Sequence, residues 1–298
     1  MTRRHRDLLL AASLLTYLLV TLGGIVCVTD ASRGCPDWPA CYGRIVPPPR
    51  LDSILEYTHR VLAGLASLAI VAAALVGWRS RAGRWVRWPP AMAVVLVAVV
   101  IVLGALGVVR GLEPGLAALD LGSALLVLAL MVAATVVAVA RHGSPGTPHR
   151  PSFHSVLARL ALWTMVLVWL VLVSGVLVAE GGSVARCLGW PLFGGGLDLA
   201  GARGWFQGAR RLAGGLAGVL IFATVVQAWR APGQQGGLRI IATAVGLAFA
   251  MEVAVGLFIV MRGAPVWLYT IYATAAATLW ALLVALFTWA GLASSRSF

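Results

Sequence analysis

The stretch Cys35-Pro-Asp-Trp-Pro-Ala-Cys41-Tyr-Gly43, followed by Glu56-Tyr-Thr-His59-Arg60, decides how the chain is organised. Glu56 and His59 are spaced i, i+3, which places both side chains on one face of a helix. Because residues 61–76 continue almost without a polar group, both groups lie at the mouth of a predicted membrane span. Ionisable groups there are costly and indicate a functional site. The alternative is that Glu56 and Arg60, spaced i, i+4, merely form an ion pair.

The composition excludes a soluble domain. The 298 residues are 60% apolar and have a mean hydropathy of +0.93, whereas soluble domains are about 45–50% apolar. A helix needs roughly 20 apolar residues to cross the hydrocarbon core. Runs of that kind lie at about 8–28, 52–77, 89–109, 117–140, 160–179, 205–228, 240–261 and 267–291. The sequence therefore predicts an all-α integral membrane protein with eight transmembrane helices.

The net charge of +13 comes entirely from arginine, and its placement predicts topology. The charges flank the apolar runs instead of forming a stripe with interleaved aromatics, so nucleic acid is not the expected partner. One set of termini and connections is the richer in arginine. It carries Arg3, Arg4, Arg6, Arg79, Arg81, Arg84, Arg87, Arg141, Arg150, Arg159, Arg230, Arg239 and Arg296. The positive-inside rule places both termini in the cytoplasm and the Cys35–Cys41 loop outside the cell membrane.

The chain repeats itself with an offset of about 151 residues. The segment from Gly24 to Gly43 corresponds to the segment from Gly175 to Gly195, and His59-Arg60 corresponds to Arg210-Arg211. The first apolar run thus has a counterpart, and we interpret it as a retained helix and not as a signal peptide. Four spans per half predict two tandem four-helix bundles in the same orientation, related by pseudo-two-fold symmetry. We expect a first repeat at 1–142, a cytoplasmic linker at 143–157 and a second repeat at 158–298.

The two halves differ in the residues that stand at equivalent positions of the candidate site. Glu56 is replaced by Gln207, His59 by Arg210 and Cys41 by Phe193. In the fourth span of each half, Asp120 corresponds to Tyr272. The first half keeps a candidate site, whereas the second half has lost its titratable acid and its imidazole.

The cysteines add a second prediction. Cys35 and Cys41 lie on a predicted extracytoplasmic connection, where an oxidising compartment favours a disulfide. A free dithiol or a metal pair is the alternative, although no further Cys or His lies nearby to complete a zinc site. Since Phe193 stands where Cys187 would need a partner, we expect no second bridge. Cys27, inside the first span, is predicted to be a small packing residue.

A glycine-rich first span, Cys-Pro-x-Trp-Pro-x-Cys-x-Gly, and Glu-x-x-His-Arg at the entry of the second span together resemble the heme A synthases. The resemblance covers nearly the whole chain. It implies oxidation of the C8 methyl group of heme O to a formyl group, giving heme A for terminal oxidases. It also implies that His59 is an axial ligand of the substrate iron, that Glu56 is the acid needed during oxidation, and that Cys35 and Cys41 are a redox-active or a structural pair by the heme entrance.

Other residues complete the predicted heme site. Arg60 fits as a partner for heme propionates near the aqueous edge, and Arg211 is its counterpart in the second half. The family pattern has four histidines in the spans, and the resemblance implies a b-type heme in the second half. Here only His59 lies in a span, and Asp120, Arg210 and Tyr272 occupy the other positions. We therefore predict no bis-histidine heme in the second half. The remaining histidines, His5, His142, His149 and His154, are interpreted as solvated cytoplasmic residues.

Three functions remain open from the sequence. The first is a heme A synthase-like oxidoreductase that works in the lipid bilayer beside a heme O synthase and the terminal oxidase assembly machinery. A second copy of the chain, forming a homo-oligomer, is a further expected partner. The second is a non-catalytic heme-binding or oxidase-assembly protein of the same fold. The third is a buried polar network of Asp120, Glu252 and Arg210 that serves a lipid or quinone, the alternative for Glu252 being a charge paired with an arginine.

Overall fold

The described part of the chain is built from long helices. The computed structural model describes residues 2–142, 152–178, 201–231, 236–262 and 265–294. The helices are α1 (Arg3–Val28), α2 (Leu51–Arg79), α3 (Arg84–Arg110), α4 (Pro114–His142), α5 (Val156–Val178), α6 (Gly201–Arg230), α7 (Gly236–Arg262) and α8 (Val266–Ser294). All eight are long and apolar enough to cross a membrane. The prediction of an all-α, multi-pass membrane protein is confirmed.

The helices extend beyond the apolar runs that predicted them. α2 and α3 end at Arg79 and Arg110, and α6 ends at Arg230. Long arginine side chains can bury their stems along apolar surface and leave the guanidinium in the aqueous interface. An apolar-run criterion stops at the first charge, whereas the hydrogen-bonded helix continues through it.

Each half of the chain closes into a ring of four helices. In the first half α1 contacts α2 and α4, and α3 contacts α2 and α4. The same pattern joins α5, α6, α7 and α8, while α1·α8, α4·α5 and α4·α8 connect the halves. This contact order is what a pair of four-helix bundles requires. The pseudo-two-fold relation and the domain bounds remain predictions, and residues 143–151 of the linker lie outside the described residues.

The central packing joins α4 to α8 and α5. Trp280 of α8 is 1% exposed, and its indole Nε1 donates to the carbonyl of Leu125 on α4 at 2.8 Å. Trp169 of α5 donates to the carbonyl of Gly122 on α4 at 3.2 Å. Because buried indole N–H groups need a partner, these bonds hold α4 of the first bundle against α5 and α8 of the second bundle.

The prediction that His5 is a solvated loop residue is wrong. α1 begins at Arg3, where the Thr2 hydroxyl accepts from the backbone N–H of His5 at 3.3 Å. His5 therefore lies in the first turn and is 1% exposed, facing Gly77 of α2. The error follows from starting the span at the first apolar run. His154 is exposed as expected, whereas His149 and the side chain of His142 lie outside the described part.

Candidate functional site

The disulfide loop, residues 35–44, lies on the first turns of α2. Cys35 and Cys41 form a disulfide with a Cα–Cα distance of 4.7 Å, as predicted. Their exposed fractions are 1% and 0%. The Ser53 hydroxyl of α2 donates to the carbonyl of Gly34 at 2.7 Å. A Cβ at Gly34 would collide with the backbone of Asp52, so glycine is required for this close approach.

Cys27 is also disulfide-bonded. Because Cys35 and Cys41 pair with each other, Cys27 belongs to a second disulfide. The predictions that Cys27 is a small packing residue and that no second bridge forms are therefore both wrong. Those predictions compared cysteines only at equivalent positions of the two loops. A residue at the end of α1 was therefore treated as packing. Cys187 and Phe193 lie outside the described residues.

Asp37 closes the far end of the disulfide loop. Its carboxylate oxygens accept from the backbone N–H groups of Tyr42 and Gly43, both at 2.6 Å. Tyr42 and Gly43 have φ values of 55° and 65°, a left-handed conformation that needs local support at a non-glycine residue. The N–H of Gly43, with that of Tyr42, lowers the pKa of Asp37 below its ordinary value. These bonds favour the ionised carboxylate.

The loop turn is expected to loosen in acid. Because folding lowers the pKa of Asp37, its contribution is fully present above the ordinary aspartate pKa of about 3.9 and is lost as the pH falls through the lowered value. Hydrogen exchange, corrected for intrinsic rates, should show protection of the Tyr42 and Gly43 amides disappearing over that range. Asp37→Asn should lower the protection and remove its pH dependence. A transition of equal size in the variant would contradict the assignment.

Arg60 joins the disulfide loop to Glu56. Its Nε donates to Glu56 Oε1 at 2.9 Å, and the side chains of Arg60 and Glu56 are only 11% and 8% exposed. Nη1 donates to the carbonyls of Asp37 at 2.5 Å and Ala40 at 2.7 Å, and Nη2 donates to that of Cys35 at 3.1 Å. The ion pair is thus present, but Arg60 also bonds the loop backbone. The role predicted for Arg60 at a propionate remains a prediction.

His59 lies one turn from Glu56 on α2 and packs against α1. Its Nδ1 is buried and has no hydrogen-bond partner among the described residues. A Cβ at Gly23 of α1 would lie 3.1 Å from His59 Cε1 and 3.7 Å from Nδ1. The ring therefore occupies the space that a side chain at Gly23 would take. The sequence analysis did not single out Gly23, although the glycine-rich first span contained the signal.

Gly23→Leu is expected to displace the imidazole and to weaken any binding that depends on it. A Cβ contact of 3.1 Å already requires the ring to move by a few tenths of an ångström, and a branched side chain requires more. Heme absorbance of the purified protein, at equal yield, measures the effect. Gly64→Leu is the matched control, because a Cβ at Gly64 meets nothing within 4 Å. Equal absorbance in both variants would contradict the placement of His59.

Asp120 lies on the helix opposite α2 in the first bundle. α2 and α4 occupy opposite corners of the ring, and both begin on the same side because one helix, α3, separates them. At about 1.5 Å per residue, His59 lies roughly 12 Å and Asp120 roughly 9 Å from the starts of their helices. Asp120 Oδ1 is buried without a hydrogen-bond partner in the described structure. The bundle thus has an unpartnered polar atom on each of two opposite helices at similar depth.

Three polar side chains of the second bundle lie near one another. Tyr272 of α8 interacts electrostatically with Glu252 of α7 and with Arg210 of α6, and Oε2 of Glu252 is buried without a hydrogen-bond partner among the described residues. Arg210 Nε donates to Ser174 Oγ at 3.1 Å and Nη2 donates to the carbonyl of Val171 at 3.2 Å. Tyr272 is 1% exposed.

This arrangement does not fit a bis-histidine heme in the second bundle. Guanidinium cannot bind iron because it stays protonated, and the Tyr272 phenol lies beside the Glu252 carboxyl. The hypothesis of a network formed by Asp120, Glu252 and Arg210 needs revision as well. Tyr272 lies near both Glu252 and Arg210, whereas Asp120 Oδ1 has no hydrogen-bond partner among the described residues. Within the described residues Glu252 forms no ion pair with an arginine. Arg211, also on α6, has a partially buried side chain, and its predicted role at a propionate remains a prediction.

Comparison with known proteins covers most of the chain. A family model described as cytochrome oxidase assembly protein matches residues 6–55 and 49–284. The heme A synthase of Exiguobacterium sibiricum is 27% identical over 230 residues, which are 74% of this chain and 74% of that protein. The heme A synthase of Halalkalibacterium halodurans is 32% identical over 152 residues, 48% of this chain and 50% of that protein. The protoheme IX farnesyltransferase of Halobacterium salinarum is 38% identical over 97 residues, 33% of this chain and 21% of that protein.

Proposed function

Because this chain belongs to the family of cytochrome oxidase assembly proteins, we propose that it acts as a heme A synthase, oxidising the C8 methyl group of heme O to a formyl group. The observation that carries the proposal is the imidazole of His59, which packs on Gly23 one helical turn from the Glu56 carboxylate, with a buried Nδ1 that has no hydrogen-bond partner among the described residues. An imidazole and a carboxylate are the two groups that binding and oxidising a porphyrin substituent require.

His59 would bind the iron of the substrate. A heme between helices needs an inward imidazole, an apolar surround and room for a flat ring. Gly23 lets the imidazole pack directly against α1, and the four helices around the site are apolar. Asp120, on the opposite helix, would lie on the other side of the ring, where its unpartnered Oδ1 can accept from a bound water.

Glu56 would serve the oxidation step. Replacing methyl hydrogens by a carbonyl oxygen releases protons and develops positive charge at the carbon, so a nearby carboxylate can accept a proton or stabilise that charge. Glu56 is 6% exposed, which keeps bulk water from competing with it. The Arg60 bond at 2.9 Å fixes one carboxylate oxygen and orients the other.

The topology follows from the same proposal. We place the disulfide loop outside the cell membrane and both termini in the cytoplasm, on the strength of the arginine distribution. An oxidising exterior is consistent with the Cys35–Cys41 disulfide. His59 and Glu56 would then lie below the outer surface, on the external side of the membrane.

The second half would not act as a heme-based electron carrier in this chain. Arg210, Tyr272 and Glu252 interact with one another in place of an imidazole pair, so electrons from the substrate would leave by another acceptor. This observation favours a second candidate function, that of a non-catalytic heme-binding or oxidase-assembly protein with one heme pocket. The expected partners in either case are a heme O synthase, which supplies the substrate, and the oxidase assembly machinery that receives the product.

Co-expression with a heme O synthase, in a host without heme A, tests the proposal. Heme A in the pigment extract of the membranes supports catalysis. Bound heme O or heme B without heme A supports the non-catalytic alternative. Purified protein without Soret absorbance, even after loading with heme, would overturn both and favour the polar cluster of Arg210, Tyr272 and Glu252 as the functional site.

A further inference from the structure

We propose that Arg60 is a positioning residue that connects the disulfide loop to Glu56, so that opening the loop displaces the carboxylate that serves the oxidation. The inference rests on the proposed function for its consequence in catalysis, but the connection itself is a property of the fold. It assigns Arg60 to neither the iron nor the propionates. Its basis is the set of bonds that one guanidinium makes in two directions.

The guanidinium is nearly saturated by fixed acceptors. Nε bonds Glu56, Nη1 bonds two loop carbonyls and Nη2 bonds a third. A guanidinium is planar, and its N–H groups point in fixed directions. The loop carbonyls therefore determine the plane of the guanidinium, and that plane determines where Nε meets the Glu56 carboxylate. A lysine ammonium carries the same charge at one point and cannot reproduce this set of directions.

The disulfide lies beneath the part of the loop that Arg60 bonds. Cys35 and Cys41 are 1% and 0% exposed, whereas Trp38 and Tyr42 are each 46% exposed. A reagent can reach the sulfurs only after the loop moves away from α2. Because the acceptors of Arg60 belong to Cys35, Asp37 and Ala40, that movement breaks its bonds to the loop. The covalent state of the disulfide and the position of Glu56 are thereby coupled through one side chain.

Other contacts also secure the loop, and they provide a control. Ser53 bonds the carbonyl of Gly34 at 2.7 Å, and the Asp37 carboxylate bonds the N–H groups of Tyr42 and Gly43. Neither contact includes Glu56. Asp37→Asn therefore weakens the loop through the side chain and keeps the backbone carbonyl that Arg60 bonds, whereas Arg60→Lys weakens the loop and also releases Glu56.

The first measurement is the rate at which a phosphine reduces the disulfide in intact membranes. The phosphine becomes its oxide with oxygen from water, the S–S bond is broken and two thiols form, which a maleimide then labels. Arg60→Lys should accelerate labelling of Cys35 and Cys41 by about tenfold or more, the effect of about 1.4 kcal/mol. Asp37→Asn should accelerate it too. A rate in Arg60→Lys equal to that of the parent would overturn the proposal.

The second measurement is the modification of Glu56 by a membrane-soluble carbodiimide, located by mass spectrometry. In the parent, reduction of the disulfide should raise modification of Glu56 severalfold. In Asp37→Asn this dependence on the disulfide should remain, because Arg60 still bonds Glu56. In Arg60→Lys, modification should be high in both states. Effects of reduction and of Arg60→Lys that multiply independently would contradict coupling through Arg60.

Coupling must also act in the other direction. Glu56→Ala leaves Arg60 without its partner on α2, so the disulfide should be reduced faster than in the parent even if Arg60→Lys does not accumulate. An unchanged reduction rate in Glu56→Ala would overturn the proposal. All these measurements need no heme. Failure of the parent to form heme A would therefore count against the proposed function alone, whereas heme A formation with uncoupled labelling would count against the role of Arg60 alone.

Discussion

His59→Ala is expected to abolish heme binding, and the whole Soret band of the purified protein should disappear with it. His59 packs against Gly23, whereas His5 lies in the first turn of α1, 18 residues before Gly23. The Nδ1 atom of His59 is buried without a hydrogen-bond partner among the described residues. The resemblance places Arg210 and Tyr272 at two of the family's other histidine positions, and these two side chains interact with each other, so we expect no second heme to mask the loss. Heme affinity should fall by at least about tenfold, or about 1.4 kcal/mol.

The measurement is the ratio of Soret absorbance to protein after purification, with and without added heme. Arg210→Leu provides the matched control in the other bundle, because it occupies the corresponding position of α6 and should leave the Soret band of the first bundle unchanged. Restoration of the band in His59→Ala by added imidazole would identify the ring as the missing ligand. Retention of the parental band in His59→Ala would place the heme elsewhere.

The fold was accessible from the sequence because the bilayer sets the length of each helix. Apolar runs of about 20 residues are a strong signal, and each run predicted a helix that the structure describes. The boundaries were less accessible. α1 begins at Arg3 because Thr2 caps it, and a hydropathy pattern contains no information on capping. His5 was misassigned for this reason.

The candidate site was only half accessible. Helical spacing placed Glu56 and His59 together, since i, i+3 neighbours share a face. Contacts between segments that are distant in the sequence have no regular spacing from which they could be predicted. Arg60 and the loop carbonyls that it bonds are separated by 20 to 25 residues in the sequence. The contact of His59 with Gly23 joins two different helices. Every residue has a backbone carbonyl, so the sequence does not show which carbonyls an arginine will bond. An arginine such as Arg60 is therefore easily interpreted as available to bind a ligand. Cys27 was misread because disulfide partners were sought only at equivalent positions of the two loops.

Glu56→Gln is expected to keep heme bound but to stop the formation of heme A. Glutamine has nearly the shape of glutamate. In the parent, Arg60 Nε donates to Glu56 Oε1 at 2.9 Å, and the side-chain carbonyl oxygen of glutamine can accept the same bond. The conformation of the disulfide loop and the packing of His59 against Gly23 should therefore be unchanged. What the substitution removes is the charge and the ability to accept a proton. General acid–base catalysis contributes about 10²–10⁴-fold to rates, so heme A should fall by at least about a hundredfold.

The contrast between Glu56→Gln and Glu56→Ala separates positioning from chemistry. Both should retain the Soret band and lose heme A, but only the alanine variant should also expose the disulfide to reduction, since it leaves Arg60 without a partner on α2. Heme O should accumulate in the extract of either variant, because binding through His59 precedes oxidation. If Glu56→Gln instead lost its heme as completely as His59→Ala, the carboxylate would belong to binding, and the oxidation would need a different base. If it formed heme A at the parental rate, Glu56 would be the structural partner of Arg60 and no more.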